Sequence, residues 1–98
     1  MIEALPKDTP GPEALKDIRL KLGLSQRQLA EALGFGPNGP DMVRWWEAGY
    51  RAGAPFTPTG PAWAAFRYLA TLVCAYRGMD QESPEAAKLA RLLPECLR

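Results

Sequence analysis

The sequence has no histidine and only two cysteines among its 98 residues, and these shortages remove several kinds of site. Cys74 and Cys96 are too far apart for a zinc-ligand pattern, and one pair of cysteines makes no disulfide framework. No phosphate-cradling glycine loop follows a strand, and no carboxylates are visibly paired. We therefore expect no catalytic residues, no metal, no cofactor and no enzyme.

Long apolar runs are also missing, because no stretch approaches the roughly 18 residues that a membrane span needs. The N-terminus carries acid and proline where a signal peptide would carry a basic and then an apolar region. A hydrophobic content of 47% still allows one packed core in a chain of this length. We expect a soluble, cytoplasmic protein of one domain.

Charge is unevenly distributed along the chain, although the net charge is only +1. Residues 1–15 hold one basic and three acidic side chains, for a net charge of −2. Residues 78–98 hold three basic and four acidic side chains, for a net charge of −1. Residues 16–77 hold eight basic and four acidic side chains, which gives +4. A positive middle block suits the phosphate backbone of a nucleic acid.

Apolar residues recur at helical spacing along most of the chain, so we predict five helices and no strand. Pro12 opens the first helix and Gly23 stops it, while Ser25 and Gln28 form a capping box at the start of the second. The predicted helices cover residues 12–22, 26–33, 38 or 40 to about 48, 61–77 and 84–93. The expected core residues are Leu15, Ile18, Leu29, Leu33, Val43, Trp46, Phe66, Leu69 and Val73.

The same pattern predicts a simple domain organisation. Residues 1–11 are rich in proline and show no period, so we expect a flexible arm. Residues 12–94 form the domain, with a helix-turn-helix over about 25–48, and residues 95–98 form a tail. Residues 50–61 are a proline- and glycine-rich loop.

Two short helices joined by a tight glycine turn cross steeply, and such a pair can lay its second helix in the major groove of DNA. Gln26 and Arg27 open the first helix of this pair and are candidate phosphate contacts. Arg44 is the candidate base reader, since arginine forks onto guanine. Arg51, at the start of the following loop, is a further candidate phosphate contact.

Three more candidates each have two interpretations. Asn38 either forms the turn or reads adenine, and Asp41 either caps the helix locally or accepts a hydrogen bond from cytosine. Trp45 points about 100° away from the buried Trp46. It therefore either contacts a partner or the DNA groove, or packs under the loop of residues 50–60.

These residues resemble those of the XRE or lambda-repressor-like family. The resemblance rests on two runs, Gly23-Leu24-Ser25-Gln26-x-x-Leu29-Ala30 and Trp46-Glu47-x-Gly49, preceded by Leu15, Ile18 and Arg19. It implies an all-α, five-helix, lambda-repressor-like fold, a structural ion pair between Arg19 and Glu47, and operator contact by Gln26. It also implies a bacterial or phage-encoded, nucleoid-associated protein that represses transcription as a dimer.

The sequence departs from that family in two segments. Between Gly34 and Val43 it is about three residues longer than the usual turn. The loop from Tyr50 to Gly60 is also long, so the resemblance does not align the start of the recognition helix.

From the sequence we therefore expect a regulator that binds double-stranded operator DNA as a homodimer. Leu89, Leu92 and Leu93 either form its dimer surface or close the core. The alternative is a protein-interaction module of the same architecture, such as an antitoxin or a phage accessory protein. The low net charge and an exposed Trp45 favour this alternative.

Overall fold

The computed structural model describes residues 5–97. These residues form five α-helices, a two-stranded hairpin and a final 3-10 turn, so the predicted all-α, lambda-repressor-like fold class is confirmed. The elements are α1 Pro12–Leu22, α2 Gln26–Ala32, α3 Gly39–Ala48, β1 Tyr50–Arg51, β2 Ala54–Pro55, α4 Gly60–Arg77, α5 Pro84–Ala90 and the 3-10 helix Glu95–Leu97. Within the described part of the chain, no helix is both long and apolar enough to cross a membrane.

The helix ends follow local chemistry. Both hydrogen bonds of the predicted capping box are present, since Gln28 N donates to Ser25 Oγ at 3.0 Å and Ser25 N donates to Gln28 Oε1 at 2.9 Å. Gly23 and Gly49 end α1 and α3 in the left-handed conformation, with φ of 78° and 85°. The lengths of α1 and α3 are therefore fixed by residues next to their ends.

The core is built from side chains of α1, α2, α3 and α4, and it contains the expected residues except Leu33, which is half-buried. Trp46 of α3 is 2% exposed and is one of the buried aromatic side chains of the core. The fully buried members with the largest side chains are Trp46, Trp63, Phe66, Leu15, Leu22, Leu29, Leu93, Val43 and Val73.

Residues 5–11, which the sequence predicts to be part of a flexible arm, contact α4 and the core through Leu5 and Pro6. Trp63 in α4 is buried, and its indole N–H donates to the Pro6 carbonyl at 3.1 Å. Leu5 packs half-buried against the core. This hydrogen bond and apolar contact hold the segment on α4, whereas residues 1–4 of the predicted arm lie outside the described residues.

The segment predicted as a tail forms a 3-10 turn over Glu95–Leu97. Helix α5 ends at Ala90 rather than near Leu93, and the chain then tightens, with Leu93 N donating to the Ala90 carbonyl at 3.2 Å. The 3-10 turn that follows buries Leu97 in the core. An apolar side chain so close to the end of the sequence therefore extends the domain, and only Arg98 of the predicted tail lies outside the described residues.

A short hairpin stands where no strand was predicted. Tyr50 pairs with Pro55 and Arg51 with Ala54, and Phe56 N donates to the Gly49 carbonyl at 3.0 Å. The two turn residues, Ala52 and Gly53, both have positive φ, which suits a two-residue hairpin. Strands of two residues are too short to show the alternation by which a strand is recognised in a sequence.

Candidate nucleic-acid interface

Helix α3 has a buried face and an open one. Gly39, Val43 and Trp46 face the core and are buried. At about 100° per residue, the opposite side carries Asp41, Arg44, Trp45 and Ala48, which we call the outer face. Its members are exposed or half-buried.

Helices α2 and α3 approach each other closely at Gly39. A Cβ atom on this glycine would lie 2.8 Å from the Cβ atoms of both Ala30 and Phe35, so a side chain there would force the helices apart. The Phe35 ring meets Trp46 edge-on, with ring centroids 5.5 Å apart. This packing sets the position of α3 on α2 and leaves the outer face open.

The ion pair implied for Arg19 and Glu47 is present and links α1 to α3. Arg19 Nε and Nη2 donate to the two Glu47 carboxylate oxygens at 2.5 and 2.9 Å, and Nη1 donates to the Leu24 carbonyl at 2.8 Å. The two side chains are only 9% and 6% exposed. Because such a pair is largely desolvated, removing one partner leaves a costly charge behind.

Gln26 is connected to this ion pair, which sequence reasoning missed. Its amide nitrogen Nε2 donates to Glu47 Oε1 at 3.2 Å. The side chain of the first residue of α2 is thereby oriented against the last turns of α3. Its Oε1 and second amide hydrogen take no part in this bond, and both are suited to a DNA contact.

The remaining polar candidates line the start of α3. Arg27 is exposed and borders a shallow cleft with Pro37 and Pro40. Asn38 is exposed at the N-cap of α3 and makes no side-chain cap. Asp41 pairs with Arg44, with Oδ1 and Nη1 2.9 Å apart and both side chains about half exposed.

Trp45 packs against the hairpin, as one of its two interpretations expected. The Phe56 ring meets it edge-on with centroids 5.9 Å apart, and the Arg51 guanidinium carbon lies 4.2 Å from the Trp45 ring centroid. Phe56 could not be identified from the sequence, since an aromatic residue in a proline-rich loop carries no periodic signal. The structure thus brings Asp41, Arg44, Trp45 and Arg51 together on the outer side of α3.

Among residues 5–97, no group of histidine, cysteine, aspartate and glutamate could hold a metal ion. The arrangement instead offers guanidinium, carboxylate and amide groups on one convex surface. These groups are suited to hydrogen bonds with phosphates and base edges.

Residues 15–52 match the model of a protein family described as helix-turn-helix. No curated protein and no solved structure matched the chain. The matched range begins in the first turn of α1 and continues through α2, α3 and the first strand of the hairpin. Residues 15–52 are therefore similar to the helix-turn-helix family that this model describes.

Proposed function

We propose that this protein is a sequence-specific DNA-binding transcriptional regulator, a repressor, which reads the major groove with α3. The observation that carries the proposal is the open outer face of α3, where Arg44 is 58% exposed. The proline-rich segment contacts this face at Trp45, and the one carboxylate of the face, Asp41, is neutralised by Arg44. A helix about 10–12 Å across fits a major groove about 12 Å wide.

Base reading is proposed for the centre and start of α3. The Arg44 guanidinium keeps N–H donors beyond the one that meets Asp41, and these can fork onto guanine O6 and N7. Asp41 can accept from the amino group of the paired cytosine, and Asn38 can pair with adenine. Trp45, which lies against the hairpin, borders these readers.

Phosphate contacts are proposed for the residues around α3. Gln26 and Arg27 occupy the first turn of α2, where free backbone N–H groups also favour an anion. Arg51 extends the same surface from the hairpin. These contacts would fix the orientation of α3 in the groove without carrying sequence information.

We further propose a homodimer on a two-fold operator, because one short recognition helix spans only a few base pairs. Leu93 is buried in the core, so it is not available as a dimer contact. Leu92 is 65% exposed, and it borders an apolar groove with Tyr68 and Leu72. This groove is the dimer surface we propose, and Leu92→Glu is expected to give a monomer by analytical ultracentrifugation.

In vitro selection of duplexes from a random pool tests the proposal. The expected outcome is a two-fold symmetric sequence with half-sites about one helical turn apart. Binding to it should weaken with salt, with a slope of log K against log[salt] near −4 to −5 for about five phosphate contacts. A selection that enriches no sequence would contradict sequence-specific reading.

The second candidate function is a protein-interaction module of the same architecture. It is favoured by the exposed apolar groove beside Leu92 and Tyr68, together with a net charge of only +1. Such a module would bind no duplex at about 50 mM salt, a condition under which a phosphate-binding protein binds tightly.

A further inference from the structure

The hairpin after α3 places a cation on the recognition helix. Its two strands, β1 and β2, turn the chain back so that Arg51 lies over Trp45, and the Phe56 ring supports Trp45 from the side. The guanidinium carbon of Arg51 lies 4.2 Å from the Trp45 centroid and 6.0 Å from that of Phe56. Arg51 is thus held against an aromatic shelf by a cation–π contact.

This cation has no acidic partner in the part of the chain that the structure describes. The ion pairs among residues 5–97 join other residues, and Arg51 is exposed. No aspartate or glutamate occurs between Glu47 and Asp80. A stacked guanidinium keeps its N–H edge free, and that edge is suited to an oxygen anion.

The hairpin and the start of α2 lie on opposite sides of α3. Asp41 and Ala48 mark the middle line of the outer face of α3. Glu47, which accepts the hydrogen bond from Gln26, projects to one side of this line. Trp45, which contacts Arg51, projects to the other side. A helix seated in the major groove has one phosphate strand on each side. Gln26 and Arg51 would therefore face different strands.

We propose that the hairpin of residues 50–55 is a phosphate clamp, in which Trp45 is the positioning residue that holds Arg51 against the DNA strand opposite to the one that α2 contacts. This proposal rests on the proposed function, DNA binding by α3. It assigns Trp45 no base contact, because its ring is engaged by Arg51 on one face and by Phe56 at an angle of 82°. The clamp strengthens binding to every sequence alike.

Titrations with the selected duplex and with a scrambled duplex of equal length, at about 50 and 200 mM salt, test the clamp. Arg51→Ala should weaken binding to both duplexes roughly tenfold, as loss of a charged hydrogen bond does. It should also make the salt slope shallower by about one. The matched control is Lys16→Ala, which removes one exposed cation from α1 and should leave affinity and slope unchanged.

Trp45 variants separate positioning from direct contact. Trp45→Ala removes no charge, yet it should reproduce the loss of affinity and the shallower slope seen with Arg51→Ala. Trp45→Phe keeps an aromatic face and should restore most of both. In the Arg51→Ala background, Trp45→Ala should reduce the DNA-binding affinity little further, since Trp45 acts through Arg51.

Phosphate ethylation interference locates the strand. In the wild-type complex, ethylation should interfere at phosphates on both sides of the groove that α3 occupies. In Arg51→Ala the interference should disappear on one strand and remain on the strand next to Gln26. Because Arg51 is exposed, this variant reports on the clamp even if a Trp45 substitution loosens the fold, which thermal melting would reveal.

Four results would overturn the clamp. A Trp45→Ala effect of equal size in the Arg51→Ala background, or a changed base preference, would mean that Trp45 touches DNA itself. If Arg51→Ala behaved like Lys16→Ala, the clamp would be wrong while reading by α3 would stand. If the wild-type protein bound neither duplex at about 50 mM salt, the proposed function would fail and the clamp with it.

Discussion

The helix-turn-helix segment and the hairpin that follows it are held in place by different forces. Helix α3 is fixed by buried contacts, namely the Trp46 side chain, the close approach at Gly39 and the ion pair of Arg19 with Glu47. The hairpin is fixed at the surface, by two short strands and the stack of Arg51 on Trp45. The recognition helix α3 is thus held by buried contacts, and the hairpin that follows it is held by weaker contacts at the surface.

The largest loss of stability is expected from truncation of Trp46. Trp46→Ala removes a side chain that is 2% exposed, and truncating a buried aromatic costs about 3–5 kcal/mol. Against a total stability of about 5–15 kcal/mol, this loss should lower the melting temperature by about 12–40 °C. Thermal melting by circular dichroism measures it, and a cooperative melt like that of the wild type would disprove the role given to Trp46.

The ion pair should give the next largest effect. Glu47→Ala leaves the Arg19 guanidinium without its carboxylate, at a cost of about 3 kcal/mol for a largely buried charge. The double variant Arg19→Met with Glu47→Leu should lose less, because no uncompensated charge remains. Urea unfolding compares the two, and a double variant less stable than the single one would contradict this account.

A smaller effect is expected at the outer face, and it concerns binding rather than stability. Arg44→Ala should leave the melting temperature nearly unchanged, since this side chain is 58% exposed. It should lose about 1–3 kcal/mol of preference for the selected duplex over the scrambled one. Competition titrations measure that preference, and equal losses on both duplexes would make Arg44 a phosphate contact.

The smallest effect belongs to the turn of the hairpin. Ala52 has φ of 52°, a conformation that costs a residue with a side chain about 1–2 kcal/mol. Glycine relieves this strain but loses more conformational entropy on folding, which offsets part of the gain. Ala52→Gly should therefore stabilise the protein by about 0.5 kcal/mol. Ala54→Gly, in ordinary strand geometry, is the matched control and should destabilise it slightly in the same urea titration.

Local signals explain which parts of the fold could be predicted. Gly23, Gly49 and the capping box at Ser25 act on their immediate neighbours, so the ends of α1 and α3 and the start of α2 follow from the sequence. The contact of Trp63 with Pro6 joins residues 57 positions apart, and no local pattern encodes such a pairing. The burial of Leu97 likewise depends on how α5 docks on α4.

The candidate site divides in the same way. Residues on one face of α3 can be grouped from helical spacing, and the ion pair of Arg19 with Glu47 was implied by the family resemblance. The links of Gln26 to Glu47 and of Arg51 to Trp45 could not be predicted, because the first crosses between helices and the second depends on a hairpin with too short a signal. The contacts that orient the phosphate-binding candidates therefore emerge only from tertiary structure.

Methylation protection of the selected duplex tests whether α3 enters the major groove, because dimethyl sulfate modifies guanine N7 there. The account predicts that the bound protein protects one guanine N7 in each half-site, and that Arg44→Ala, bound at saturation, leaves it reactive. A saturated wild-type complex in which every guanine N7 stays reactive would contradict the insertion of α3 into the major groove.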